Sequence, residues 1–401
     1  MCEQSVPEEK VGRRVAVQRK LAGLTQHQFA ARAHVSKSLV AQVEIGALPA
    51  SAGFTAAAAH VLGLDVATLT GEPHGAPITD PYAEHAGIAA LRIALDDQEV
   101  PDFAGYPMPA TELRTRLDHC EARREKGRYT AVLKMLPELL NHAYAIVAHT
   151  RPGHDTEQAW AMLDDAYELA QVVSLRFGYC DLAALAAGYG RAAAARAGDP
   201  LRAALATYRY TVVRLRRGNP EGVLQAVDRG HALLDGERCP TAGAVRTVLH
   251  LRQARAHARL GARDRADEHI NEARRLVTGG VPAHPYYSVH ATTANVDIHY
   301  VRTAVELCDG STAVGRAAQV HLPADTQPSR AGHHWIDLAR AWTLHGDRAR
   351  AVGALYEARR MNPQKTRYHP GVHETVHLLA EHHRRANDSL AAFARWARIT
   401  V

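Results

Sequence analysis

The stretch from Leu24 to Gly46, LTQHQFAARAHVSKSLVAQVEIG, constrains this chain more than any other. It spells two short helices separated by a tight turn. Thr25 is an N-cap candidate, and Gln28 three residues later completes a capping box, in which each side chain bonds the other residue's backbone amide. Phe29, Ala30 and Ala33 give the first helix one apolar face. Val35 fills the turn, Ser36 caps the next helix, and Val40 and Val43 bury it. Lys37, Ser38, Ala41 and Gln42 are left on its outward face. Ala30 is small enough for two helices to cross closely.

Two helices of this kind, the second with a polar and basic outward face, have the layout that places a recognition helix in the DNA major groove. The segment from Val11 to Leu69 resembles the lambda-repressor-like, or XRE, DNA-binding domain. The resemblance rests on a leading basic helix VGRRVAVQRKLAGL, the Thr25-Gln26 pair, Ala30, Val35, Ser36, and Glu44-x-Gly46 followed by Pro49. AAAAHVLGLDVATL then matches the family's fourth and fifth helices. The resemblance implies a five-helix head in which Lys37, Ser38 and Gln42 face bases and Gln26 sits near the phosphates. His34 stands where the family usually has glycine, so the resemblance implies a left-handed backbone there; histidine tolerates positive φ better than most residues and worse than glycine, and a slightly strained turn is expected. Arg13, Arg14 and Lys20 on the leading helix are candidates for phosphate contacts, which position a protein without reading sequence. The caps Thr25 and Ser36 join Arg13, Arg14, Gln26, Lys37, Ser38 and Gln42 in the candidate DNA-binding set.

The chain has 401 residues, enough for two or three domains with a sizeable core. Aromatic residues make up only 6%, and the alternation that marks strands is scarce, so an all-α fold is expected. The formal charge of +6 suits an anionic partner, and the basic residues of the first 70 positions cluster on the leading and recognition helices. Five cysteines, Cys2, Cys120, Cys180, Cys239 and Cys308, are far apart and form no CxxC pair. That spacing suggests neither a disulfide framework nor a zinc finger, and buried packing is their expected role. No stretch reaches transmembrane length and the charged N-terminus lacks a signal-peptide core. A cytoplasmic, nucleoid-associated protein without a membrane partner is expected. No P-loop, GxGxxG or GxSxG element appears, and the reading assigns no cofactor.

After Leu69 the chain turns rich in Gly and Pro at GEPHGAPITDPYAE, continues through the helical HAGIAALRIALDD, and breaks again at VPDFAGYPMP. Beyond Ala110, helical patterns about 15 residues long alternate with short turns. Trp335 to Pro363, WIDLARAWTLHGDRARAVGALYEARRMNP, matches the tetratricopeptide pattern closely. Trp335, Leu338, Ala339 and Trp342 take the first-helix positions, Gly346-Asp347 the turn, and Ala351, Leu355 and Ala358 the second helix. A second unit carries Ala254, Gly261, Ala266, Ile270 and Ala273 at the same offsets, and weaker copies centre on Gly127 and Gly198. Such pairs cannot bury their apolar faces alone, so they stack into a solenoid with a concave inner surface. An irregular helical bundle is the other packing these patterns allow. The chain as a whole resembles actinobacterial XRE regulators with a tetratricopeptide-like C-terminal domain, a group that ELRTRLDHCEARREKGRYTAVLKMLPELLNHAYA also looks like. The expected organisation is a head at 1–70, a linker and connecting helix at 71–110, and helical repeats at 111–401.

His373-Glu374-Thr375-Val376-His377 spells HExxH, which on a helix puts two zinc-ligating histidines on one face beside a general base. The chain has 25 histidines, so an i, i+4 pair arises by composition, and ordinary helix surface is the expected role with no metal assigned. His333-His334 and His382-His383 read the same way. Gly279-Gly280 lies at a turn. Pro285-Tyr286-Tyr287 reads as packing, with a ligand pocket as the other possibility. Together these readings point to a dimeric transcription regulator that binds double-stranded DNA at a pseudo-palindromic operator, with a small-molecule or peptide effector in the repeats. The alternatives are a protein-interaction scaffold with a DNA-tethering head, and a zinc peptidase-linked regulator using His373, Glu374 and His377.

Overall fold

The computed structural model describes residues 10–72, 85, 87–96, 107–151, 153–277, 286–287, 289–381 and 388–400. Cys2, Gly279-Gly280, Pro285, His382-His383 and most of both Gly/Pro-rich breaks lie outside the described residues. The expected all-α class holds: the described residues contain 21 helices and no strand.

Five helices form the head: α1 Val11–Leu21, α2 Gln26–Arg32, α3 Lys37–Glu44, α4 Ala52–Leu62 and α5 Val66–Thr70. They close around Val15, Phe29, Val40, Phe54 and Leu69. Each such side chain contributes about 1.5–3 kcal/mol by leaving water. The caps are those the sequence marks. Thr25 and Gln28 form the reciprocal capping box, and Ser36 Oγ accepts from the Leu39 amide. A Cβ on Gly12 would run into the Val43 carbonyl, so α1 crosses α3 at backbone contact. His34 adopts φ 53°, the left-handed turn that its position demands of a residue with a Cβ.

The remaining helices run in short-linked antiparallel pairs. These are α7 Ala110–Glu125 with α8 Tyr129–His149, α9 His154–Arg176 with α10 Cys180–Arg196, and α11 Pro200–Arg216 with α12 Pro220–Ala232. Then come α13 Pro240–Arg259 with α14 Arg263–Val277, α15 Thr293–Glu306 with α16 Gly310–Ala317, and α17 Pro328–His345 with α18 Arg348–Met361. Helices α19 Pro363–Arg367, α20 Pro370–Glu381 and α21 Asp388–Ala397 end the run. The closest sequence unit is the α17/α18 pair: Gly346 ends α17 at φ 93° and the Asp347 side chain caps α18. Helices α8 and α9 are longer than the pattern suggests, at 21 and 23 residues. Helix α9 is enclosed by α7, α8 and α10, so it buries even acids such as Asp164 and Asp165. Helix α6, Gly87–Asp96, is no free connector: Leu91 and Leu95 join the core of α8 through Leu133.

The run of pairs curls until its beginning meets its end. The Thr130 amide donates to Gln364 Oε1 at 3.2 Å, and Gln364 Nε2 donates to Thr130 Oγ1 at 2.8 Å. Asn362 is fully buried at this closure. Its Nδ2 donates to Tyr129 Oη at 3.3 Å and its Oδ1 caps α19 at the Lys365 amide, 3.1 Å away. Gly127 leaves no room for a Cβ beside it.

Charged side chains fill the interior of the curl in paired sets. Arg202 Nη1 reaches Asp165 at 2.6 Å and Asp164 at 3.0 Å, and Arg209 Nη2 reaches Asp164 at 2.6 Å and pairs through Nη1 with Glu168. Tyr287 is buried, with its hydroxyl donating to Asp118 at 2.6 Å, and Tyr286 donates to Asp199 at 2.7 Å. Both therefore serve packing. Cys120 and Cys180 are buried, as expected, but Cys239 and Cys308 are exposed at helix junctions. No described helix is long and apolar enough to cross a membrane.

Two measurements test this architecture. Asn362→Ala strands the Lys365 amide and should cost about 1–3 kcal/mol. Denaturant melts should show a lower midpoint at unchanged slope, and an unshifted midpoint contradicts the closure. The second concerns four histidines stacked across α12, α13 and α14. His250 Nδ1 lies 3.1 Å from His269 Nδ1, and the rings of His231 and His257 adjoin the pair. Burial, then the neighbouring His231 and His269, pulls His250 down to about 3. Between pH 6.5 and that value the unfolded chain binds the extra proton, so stability falls as pH falls through this window. His250→Gln should flatten that acid loss in pH-dependent melts, and a parallel profile speaks against it.

Candidate nucleic-acid interface

Helix α3 is buried on one side by Val40 and Val43, and this fixes what the other side presents. Ser36, Lys37, Ser38 and Gln42 are all exposed, as the spacing predicts. The N-terminal turn of α3, the part that meets base edges in a major-groove reader, thus carries one cation and two hydroxyls. Thr25 is exposed at the start of α2, and its hydroxyl is held by Gln28.

A buried network behind this face sets the tilt of α3 against α1. Arg19 Nε donates to Glu44 Oε1 at 2.6 Å and Nη2 to Glu44 Oε2 at 2.9 Å, the bidentate geometry of a strong pair. Arg19 Nη1 also donates to the Leu24 carbonyl at 2.5 Å. Gln26 Nε2 adds a bond to Glu44 Oε2 at 2.8 Å, so Gln26 is half-buried and held from behind. Burial pushes the Glu44 carboxyl up, but the Arg19 and Gln26 hydrogen bonds outweigh it and hold it below the usual carboxylate range.

The two candidate phosphate arginines part company. Arg13 is exposed on α1. Arg14 turns inward, donates from Nη1 to the Leu69 carbonyl at 3.1 Å, and lines a cavity shared with the repeat region. The i, i+1 step on a helix turns neighbouring side chains about 100° apart, so Arg13 and Arg14 leave α1 in different directions.

The HExxH segment belongs to that shared boundary. It is not ordinary helix surface, because His373 and His377 are both buried. Glu374 Oε1 accepts from the Ala50 amide at 3.2 Å and the carboxylate also accepts from the Val11 amide, the first helical amide of α1. An acid at that point satisfies donors that the helix cannot. Burial raises the Glu374 pKa, and the Ala50 amide, Lys10 and the Val11 amide only partly oppose it. His373 Nε2 donates to the Arg367 carbonyl at 2.7 Å. Glu374 is thus tied to the head and His373 to its own chain. Among the described residues, no group of three or more His, Cys, Asp or Glu is placed to hold a metal ion. Lys10 pairs with Glu381 two turns beyond Glu374 on α20, and Arg216 of α11 pairs with Glu72 just after α5. Sequence reading missed all of these docking contacts. The available signal was the acid Glu374 on a helix whose Val372, Val376 and Leu379 mark a packed face, an acid that needs donors from elsewhere once that helix is packed.

Residues 10–70 match the model of a family described as a helix-turn-helix domain. No curated protein sequence matches the chain. Among solved structures, the chain is similar to PlcR of Bacillus thuringiensis in the crystal structure of its complex with the peptide PapR7 and DNA. The identity is 12%, the match covers 88% of this chain and 94% of that one, and the TM-score is 0.27.

Glu374→Ala should loosen the head from α20 at a cost of about 1–3 kcal/mol for the stranded amides. Hydrogen exchange at Val11 and Ala50 should quicken while exchange in α3 stays as it was. Unchanged protection at those two amides speaks against the docking role.

Proposed function

We propose that this chain is a sequence-specific DNA-binding transcription regulator that works as a homodimer in the cytoplasm, on the nucleoid. In this reading residues 1–70 are the DNA-binding head, 71–110 the connection, and 111–401 a helical repeat domain that dimerises and senses a small molecule or peptide. The observation that carries it is the outward face of α3, where Ser36, Lys37, Ser38 and Gln42 are exposed over a rigidly capped and buried helix. The helix-turn-helix match over residues 10–70 supports the same assignment.

Lys37 and Gln42 have the chemistry to read bases: a cation for guanine acceptors and an amide for the paired donor and acceptor of adenine. Arg13 and the hydroxyls of Thr25 and Ser36 supply phosphate contacts, with Gln26 held in line by Glu44. One head makes few base contacts, so useful affinity needs two heads on half-sites about one helical turn apart, hence a pseudo-palindromic operator. No catalytic step is assigned. The glutamate that a zinc peptidase would use as base is engaged with amides of the head.

Binding to fragments selected from genomic DNA tests the assignment. Lys37→Ala or Gln42→Ala should each cost about 1–3 kcal/mol at the selected site and little on random DNA. Arg13→Ala should weaken both alike and lower the salt slope by about one. Equal losses on specific and random DNA in the Lys37 and Gln42 variants refute base reading.

A further inference from the structure

Between the head and the repeats lies a cavity of about 130 Å³. The head side is α1, the start of α4 and α5. The repeat side is α11, α13, α15, α17 and α20. Its lining holds Lys10 and six arginines against two carboxylates, Glu306 and Glu374. Several of these cations are answered locally. Lys10 pairs with Glu381, Arg216 with Glu72, and Glu306 takes Arg255 at 2.9 Å and Arg259 at 3.1 Å. Glu374 is spent on the head's amides.

One arginine is left short, and a second is held only at long range. Arg302 is 8% exposed, and its Nε makes no hydrogen bond, standing 3.7 Å from Glu306 and 3.8 Å from Asp337. Arg340 Nη1 reaches the same Asp337 at the long distance of 3.5 Å. A buried guanidinium with an unmade bond costs more than a made one returns. We propose that this cavity binds a compact phosphate, as inorganic phosphate or a small phosphate monoester, held by Arg302 and Arg340 from the repeats and by Arg14 from the head.

A dianion balances two forks at once, whereas a single carboxylate leaves one unanswered. Guanidinium groups match phosphate oxygens two at a time. The volume is ample for a phosphate with a few further atoms. Crowding supports the same assignment: burial, then the neighbouring Arg255, pulls Arg302 down to about 9, a cation under stress that an anion relieves. Because the walls come from both regions, a bound phosphate ties the head to the repeats and fixes the direction in which α3 points. That regulatory consequence rests on the DNA-binding reading above; the anion site itself does not.

The full-length protein is titrated with inorganic phosphate and with glycerol phosphate, followed by calorimetry and phosphorus NMR, with acetate at matched ionic strength as the control. Saturable binding of a phosphate species and none of acetate is expected, and the tighter of the two identifies the source. Arg302→Gln and Arg340→Gln should each weaken binding roughly tenfold or more, the loss of a charge-assisted bond. Arg265→Gln on exposed α14 should leave it unchanged. Circular dichroism checks the fold of each variant, and Arg14→Gln tests the opposite wall if a repeat variant unfolds. No saturable binding, or equal affinity in wild type and folded cavity variants, overturns the site. Measured in parallel, DNA affinity should change on saturation with phosphate. An unchanged affinity overturns the coupling alone, and a protein that binds no DNA refutes the regulator while the titration still decides the anion site.

Discussion

Glu306 is the interaction on which the meeting of head and repeats depends. Its carboxylate is almost completely buried at the end of α15 and accepts from Arg255 and Arg259 of α13 while facing Arg302 one turn back on its own helix. Burial pushes this carboxyl up, but Arg259, Arg255 and Arg302 outweigh it and hold it well below the usual range. One anion thus organises three cations. Without it, the crossing of α13 and α15 would trap uncompensated guanidinium groups, the costliest arrangement a protein interior can contain. The floor on which the head rests is the same ground: the Arg259 carbonyl lies close under Gly53 at the start of α4.

The head was largely legible because its determinants are local. A capping box, a capping serine and apolar residues at helical spacing act within one or two turns, and α1 to α5 form where those signals lie. His34 was legible through the resemblance, which puts a glycine at that turn and so implied the positive φ it adopts. The repeat region was legible where a helix pair carries its own turn residues, as at Gly346-Asp347. It was illegible where long-range partners decide. Asp164, Asp165 and Glu168 look like helix surface until Arg202 and Arg209, about forty positions later, arrive to neutralise them. Arg14 looks like an outward-facing side chain until Leu69 offers a carbonyl and the side chain is found lining the cavity between head and repeats. Glu374 looks like a metalloprotease base until the amides of Ala50 and Val11 are seen to claim it. Each of these side chains needs a partner once its helix is packed. The partner lay too far along the chain for spacing to reveal.

The chemistry of the head's seat sets how it can behave. Glu374 to two amides, Lys10 to Glu381 and Arg216 to Glu72 are all polar contacts between regions whose apolar cores close separately. Separating apolar surfaces would expose area at about 25 cal/mol per Å² with nothing to offset it. Separating hydrogen-bonded and ionic groups returns each of them to water, so the net cost of a typical bond is only about 0.5–1.5 kcal/mol. A handful of such contacts holds one orientation of the head yet stays within reach of binding energy from another partner. The Arg19–Glu44 pair inside the head behaves differently, because opening it would leave buried charges stranded. Internal rigidity and external release are therefore built from the same residue types, and burial alone separates them.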